Sequence, residues 1–403
     1  MGYTMSSSNI RVPVIDKEGK PLMPTTASRA RRWMEQGKAV PQWSDLGVFY
    51  VQLVDSASGY KTQPINMGID PGKRYSGIAV QSQKYTLGMF HLVLMGFIPK
   101  QGSAMPGVNS KMDYRRLLRR GRRGRRINRK VAFNLRNHRQ KRFENRRQSK
   151  LAPSIRSNRQ LELRVLSELC KIFPVSVIVY EQVRVDVDLT SGRKGAKSGQ
   201  GFSVVMVGQE WMLKQLSLFA PVLTREGWQK DGNGTSQIRQ YLGLVKDKKN
   251  KELPSPETHV VDGIALACAP FVQYKPFHTA NTRGCVWMGS VSITPAIFKV
   301  ISRPRITRRR LHDAVPAQGG VRERYGGSTT PFGIRKGDLV YYKEQLGYCS
   351  GYTNKQLSIS DANWKRLGQR AISKCRLVAR STGLVVSGAL NPTQPPLLSL
   401  PAV

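Results

Sequence analysis

The chain has 403 residues, 39% of them hydrophobic, and carries a formal net charge of +41 from 66 basic and 25 acidic side chains. That length and apolar share allow a buried core and two to four modules, and the charge calls for a large polyanionic partner bound mainly through its phosphates. Five scattered cysteines without a CxxC pair argue against a disulfide framework and a zinc site and fit a reducing, cytoplasmic setting; no run of 18 apolar residues offers a membrane span.

The start shows no secretory h-region. MGYTMS and Asn233-Gly-Thr235 match short myristoylation and glycosylation patterns and are read as incidental.

Residues 1–62 read as a small β-rich module. Val12, Val14 and Ile15 lead into the turn-rich DKEGKPLMP, then a basic helical stretch, then the strand-like Gly47–Val54. Arg29, Arg31, Arg32 and Lys38 either contact phosphate or form an ordinary solvated helix face.

Residues 65–98 predict three strands joined by short turns, an antiparallel meander. In the first, Ile65, Met67 and Ile69 are expected on one face and Asn66, Gly68 and Asp70 on the other. Asp70 ends this strand at a Pro-Gly turn. A carboxylate at a buried strand end needs a partner, either a metal ion or its own turn.

Residues 111–150 hold 18 Lys or Arg against Asp113 and Glu144. Removing them still leaves +25, so the basic character is global. The segment is internal, interspersed with apolar residues and dominated by Arg, whose planar fork suits phosphate. As a mostly helical rod of about 35 residues it would be roughly 50 Å long. It is expected to bind RNA or an RNA–DNA heteroduplex through Arg115, Arg116, Arg119, Arg120, Arg122, Arg123, Arg125, Arg126, Arg129, Lys130, Arg136, Arg139, Arg142, Arg146 and Arg147.

A helix is predicted from Leu151, with Leu161, Leu163, Val165, Leu166 and Leu169 on its apolar side. Val175–Gln182 reads as a strand buried on both faces and ended by Glu181. A Gly/Ser/Lys loop at 190–203, a helix at 208–222 and a polar, basic loop with a short helix at 236–244 follow. The next helix is expected to open with Thr258 as its N-cap. On it, His259 and Asp262, three apart, share a face as a capping pair or as part of a site.

Phosphodiester hydrolysis needs an activated water, a stabilised leaving oxygen and charge neutralisation, all of which two divalent ions about 4 Å apart supply. Mg²⁺ takes oxygen ligands and keeps several waters, so Asp70, Glu181 and Asp262 would suffice for two Mg²⁺ ions, with Mn²⁺ able to substitute. His259 would shuttle a proton.

Three segments carry a family resemblance: GIDPG at 68–72, YEQVRVD at 180–186 and HVVDGIA at 259–265 resemble the split RuvC segments of RNase H-like nucleases. Together with PLMP at 21–24, the RRGRR repeats at 119–126 and RFENRR followed by LAPSIRSNR, they resemble the IscB and IsrB family, transposon-encoded ancestors of RNA-guided CRISPR nucleases. The resemblance spans about residues 10–270. Between Glu181 and His259 there are only 77 residues and no His or Cys, so the HNH nuclease domain of IscB has no place there and the pattern is that of the HNH-lacking branch.

The resemblance implies an α/β fold: an RNase H-like mixed-sheet core, a bridge helix, a PLMP module and a small C-terminal β-barrel-like domain. The implied layout is 1–62 PLMP, 63–104 RuvC-I, 105–150 bridge helix, 151–203 RuvC-II, 204–280 RuvC-III, 281–325 a guide-RNA-stem region and 326–403 a target-adjacent-motif domain. It further implies an omega guide RNA, one protein per RNA, and a double-stranded DNA target with a flanking motif whose non-target strand is nicked by a Mg²⁺-dependent endonuclease. Asp70, Glu181 and Asp262 would hold metal, with His259 assisting and Asp186 a weaker candidate. Arg303, Arg305, Arg308, Arg309 and Arg310 would contact the RNA stem. Lys336, Lys343 and Lys355, set among tyrosines, would face the DNA motif. Two other readings stand beside it: a non-catalytic RNA and DNA binder on a decayed RuvC scaffold, and an unguided junction nuclease.

Overall fold

The computed structural model describes residues 10–72, 74–94, 132, 151, 153–183, 204–250, 253–303, 314–315, 320–321, 333–353 and 355–388. The bridge helix expected within 105–150 therefore lies outside the described residues, apart from Ala132, as do Asp186 and the loop at 190–203. The chain divides into two compact units, residues 1–300 with 388–403, and residues 301–387.

The larger unit opens with a four-stranded sheet, β1 (Arg11–Ile15), β2 (Pro21–Thr26), β3 (Ala39–Trp43) and β4 (Phe49–Leu53), in the order β2-β1-β4-β3. β2 is an edge strand, the place in a sheet where Pro21 and Pro24 forfeit no ladder bond. Helix α1 (Ala27–Glu35) begins where Thr26 Oγ1 accepts from Arg29 N at 3.2 Å. Ala30 packs inward with Val12, Val14, Leu22, Ala39 and Val51. Arg29, Arg31, Arg32 and Lys38 are all exposed.

The second sheet positions the site. Six of its seven strands are β5 (Ile65–Pro71), β6 (Tyr75–Ser82), β7 (Thr86–Val93), β8 (Val177–Glu181), β9 (Val222–Arg225) and, further on, β12 (Phe298–Ser302), in the order β12-β7-β6-β5-β8-β9. β5, β6 and β7 form the expected antiparallel meander. β8 then pairs parallel with β5, Ile69 opposite Tyr180, and β9 pairs parallel with β8, Glu181 opposite Arg225. The result is a mixed sheet with Asp70 and Glu181 at the same end of neighbouring strands.

Between the strands lie α2 (Pro153–Cys170), α3 (Val204–Leu216), α4 (Thr235–Tyr241) and α5 (Val261–Cys268). The expected polar face of β5 is not exposed: Asn66 is as buried as Ile65, and its Nδ2 donates to Ala267 O at 3.4 Å. α5 lies on that face. It comes close because Gly68 and Gly263 carry no side chains there; a Cβ on Gly68 would stand 2.0 Å from Gly263 O. Ala79, Val179, Val261, Ile264, Ala265 and Cys268 complete the core between helix and sheet.

Sequence reading misplaced three boundaries. The helix expected at 208–222 runs 204–216, and only its last residue, Val222, enters β9, which shows no alternation. Residues 272–289, not assigned from the sequence, form a hairpin of β10 (Val272–His278) and β11 (Arg283–Gly289). Thr258 is not an N-cap. A π-helical turn, Pro256–Val260, precedes α5, with Pro256 starting it and Thr258 Oγ1 donating to Leu253 O and Ser255 O at 3.0 Å each.

The smaller unit contains a two-residue ladder, β13 (Ala314–Val315) with β14 (Gly320–Val321), and a five-stranded antiparallel sheet. That sheet comprises β15 (Leu339–Tyr342), β16 (Gln345–Thr353), β17 (Gln356–Ser360), β18 (Arg366–Ala371) and β19 (Arg376–Ala379), ordered β18-β17-β16-β15-β19. Its core is Ile334, Val340, Tyr342, Cys349, Leu357 and Ile359. Buried Asp338 ties the loops together by accepting from Arg335 N, Ser381 N and Arg380 Nη1.

Candidate active site

β5 delivers Asp70, β8 delivers Glu181, and the first turn of α5 delivers Asp262. One carboxylate oxygen from each lies within 4.8 Å of the others. Parallel pairing of β5 with β8 sets the first two side by side, and the glycine contact between β5 and α5 brings the third down onto them. Among the described residues no second such group of His, Cys, Asp and Glu occurs.

The crowding shows in the charge balance. Burial first, then Asp70 and Asp262, push the Glu181 carboxyl up to about 8, so it holds a proton at neutral pH when no cation is present. Asp262, 4% exposed, is matched by two cations: Arg239 donates to its Oδ1 and Lys246 to its Oδ2. Lys246 is held well charged: burial works against its ammonium, but Asp262 and Asp70 outweigh burial. Arg239 rides on α4, and Lys246 follows it in the stretch read from sequence as a polar loop. Neither was singled out. Their signal lies only in fold-level proximity, since lysines are frequent throughout 245–251.

Glu181, Arg239, Lys246, Lys248 and Asp262 line a cavity of about 270 Å³, with Gly227, Thr235 and Ser236. Gly227 presents bare backbone to Glu181: a Cβ there would meet Oε1 at 3.0 Å.

His259 sits in the π turn, its Nδ1 3.7 Å from Asp70 Oδ2. Its ring meets Tyr75 and His91 at centroid distances of 5.2 and 5.6 Å. His91 is fully buried, neither ring nitrogen meeting a hydrogen-bond partner among the described residues; burial, then His259, pull it down to about 3, so it is neutral. π turns recur where a helix must re-aim a side chain. Here the turn carries His259 and the helix that follows carries Asp262, and both approach Asp70.

The donor set fits a hard divalent cation. All three ligand atoms are carboxylate oxygens, without thiolate or imidazole, and their mutual repulsion is relieved by a proton and two side-chain cations. Oxygens around one Mg²⁺ stand about 3–4 Å apart, close to the spread found here.

Of the other predicted site residues, Arg303 is half-buried just after β12, while Arg305, Arg308, Arg309 and Arg310 lie outside the described residues, like the fifteen basic residues named above between Arg115 and Arg147. Lys343 and Lys355 are exposed at positive φ of 42° and 63° in the turns flanking β16, and Lys336 is half-buried with its stem near Gly351. Of the tyrosines near these lysines, Tyr342 is a core residue.

Residues 12–201 match the family described as RRXRR protein. The chain itself carries that spelling twice, Arg119-Arg120-Gly121-Arg122-Arg123 and Arg122-Arg123-Gly124-Arg125-Arg126. Among solved structures it is similar to Thermus thermophilus RuvC, with 17% identity, covering 51% of this chain and 92% of that one at a TM-score of 0.19. No curated protein matches.

Proposed function

We propose that the chain is a divalent-metal-dependent endonuclease of the RuvC type that nicks one strand of double-stranded DNA under the direction of a bound guide RNA. The observation that carries this reading is the convergence of Asp70, Glu181 and Asp262, from segments up to 192 residues apart, on one crowded oxygen cluster at the end of a mixed sheet. The charge of +41 and the arginine-rich run at 111–150 support a long nucleic-acid partner. A single carboxylate cluster among the described residues, with no His or Cys between Glu181 and His259, supports one cut rather than two.

Asp70, Glu181 and Asp262 would hold Mg²⁺. When bound it would activate water and offset charge on the reacting phosphate. The protein groups divide the remaining work. His259, near Asp70, takes the proton of the attacking water. Arg239 and Lys246 pair with Asp262 in the absence of a metal ion, and with Lys248 they give the cavity a cationic wall for the DNA backbone.

The test is a supercoiled plasmid carrying a match to the guide, incubated with the purified RNA complex and Mg²⁺. Open circles that disappear in Asp70→Ala, with RNA still bound, are expected. Linear product would mean a second cutting centre. Intact supercoils with RNA bound would favour the non-catalytic binder, and cutting by RNA-free protein the unguided nuclease.

A further inference from the structure

Two side chains outside the cluster join its strand ends to one rigid helix. Arg159 is 6% exposed and Glu162 fully buried, one turn apart on α2. Such a pair would look from sequence like an ordinary surface salt bridge at i, i+3. Arg159 Nη1 stands 2.6 Å from Glu162 Oε2. Its Nη2 donates to Gly72 O at 2.9 Å, two residues past Asp70, and its Nη1 reaches Tyr180 Oη at 3.4 Å, the residue before Glu181. Glu162 Oε1 accepts from Ser76 Oγ at the start of β6. One guanidinium thus touches the turn that ends β5 and the phenol of Tyr180, one residue before the end of β8, while its carboxylate partner bonds Ser76 where the chain re-enters the sheet.

Stability does not explain this arrangement. Taking two charges out of water is expensive, and apolar residues of similar volume often serve a core as well or better. What apolar residues cannot do is bond a backbone carbonyl and a phenol at once with fixed directions. The planar fork of Arg can.

We propose that Arg159 and Glu162 are a positioning pair that sets the separation of Asp70 from Glu181, and through it the affinity of the carboxylate cluster for its metal. This rests on reading the cluster as a metal centre.

The experiment uses the full chain and Mn²⁺ alone as probe, by calorimetric titration, with thermal melting beside it and nicking kinetics on the RNA complex. In the double variant Arg159→Met/Glu162→Leu both buried charges go together. It is expected to melt within a few degrees of the parent, to bind Mn²⁺ at least about tenfold more weakly, and to lose about 100-fold in kcat with KM for DNA unchanged. Arg159→Lys, which keeps charge and loses the fork, should show the same weakening of Mn²⁺ binding with a parental melting temperature. It carries the test alone if the double variant fails to fold. Parental Mn²⁺ affinity in a folded variant would overturn the pair's role and leave the metal centre standing. A parent chain that binds no Mn²⁺ would overturn both. A rise in KM with kcat unchanged would also overturn it, because the pair would then act on DNA binding.

Discussion

Replacing Gly68 by Ala tests whether the metal cluster depends on the close approach of α5 to the sheet. The new Cβ would sit 2.0 Å from Gly263 O and 2.3 Å from Ala267 N, where ordinary contact begins at 3.4 Å, and neither backbone atom can swing aside. Helix and strand would have to part by about 1.4 Å at this point. Gly68 is two residues before Asp70, and Gly263 is next to Asp262, so the strain falls between two of the three ligands. Overpacking of this kind costs about 1–3 kcal/mol, and a misplacement of about 1 Å at a reacting centre can cost 10²-fold. A folded but destabilised protein is expected, with Mn²⁺ binding weakened at least tenfold and nicking about 100-fold slower. Gly59→Ala, where a Cβ meets nothing within 4 Å, should match the parent in all three assays. Circular dichroism melts, Mn²⁺ titration and single-turnover plasmid nicking would measure these. A folded Gly68→Ala chain with parental metal affinity would refute the claim that the glycine contact sets the cluster.

Glu181, held up to about 8 against an ordinary 4.5, binds its proton in the folded chain and has lost it in the unfolded chain between those values. Its contribution is complete below pH 4.5 and is lost as pH rises toward 8, a slope of at most about 1.4 kcal/mol per pH unit. Urea melts in a chelator should therefore show this loss in the parent relative to Glu181→Gln; parallel pH trends in the two would sink the assignment. Lys246→Met removes a cation seated on Asp262 and should tighten Mn²⁺ binding by several-fold in calorimetry. Weaker binding would mean that the ammonium holds Asp262 in place rather than competing with the ion.

The meander, the strand ending at Glu181 and the β-rich start were legible because turn residues and β-branched runs are local signals. Asp70, Glu181 and Asp262 could be picked out as strand-end and helix-start acids, though their meeting could not, because it depends on β8 pairing with β5 across more than 100 residues. Arg239 and Lys246 stayed hidden in a stretch whose charge is uniform, where only the docking of α4 against α5 singles them out. Arg159 and Glu162 were masked by their resemblance to an exposed i, i+3 pair. β9 is four residues of half-buried chain and carries no alternation to read. The π turn hid behind Thr258, a good N-cap residue by type, which Pro256 turned into an interior position.

The order of the three acids along the chain also has a meaning in time. Chains are made at roughly 5–20 residues per second, so Asp262 leaves the ribosome about 10–40 s after Asp70. Early in that interval β5, β6 and β7 can pair among themselves; the parallel partner β8 is complete a little past halfway, and the capping helix arrives last. A nascent chain or an early-terminated product holds one or two of the carboxylates and no metal centre. Whatever reactivity the finished centre has is thereby withheld until Asp262 and its helix have been made.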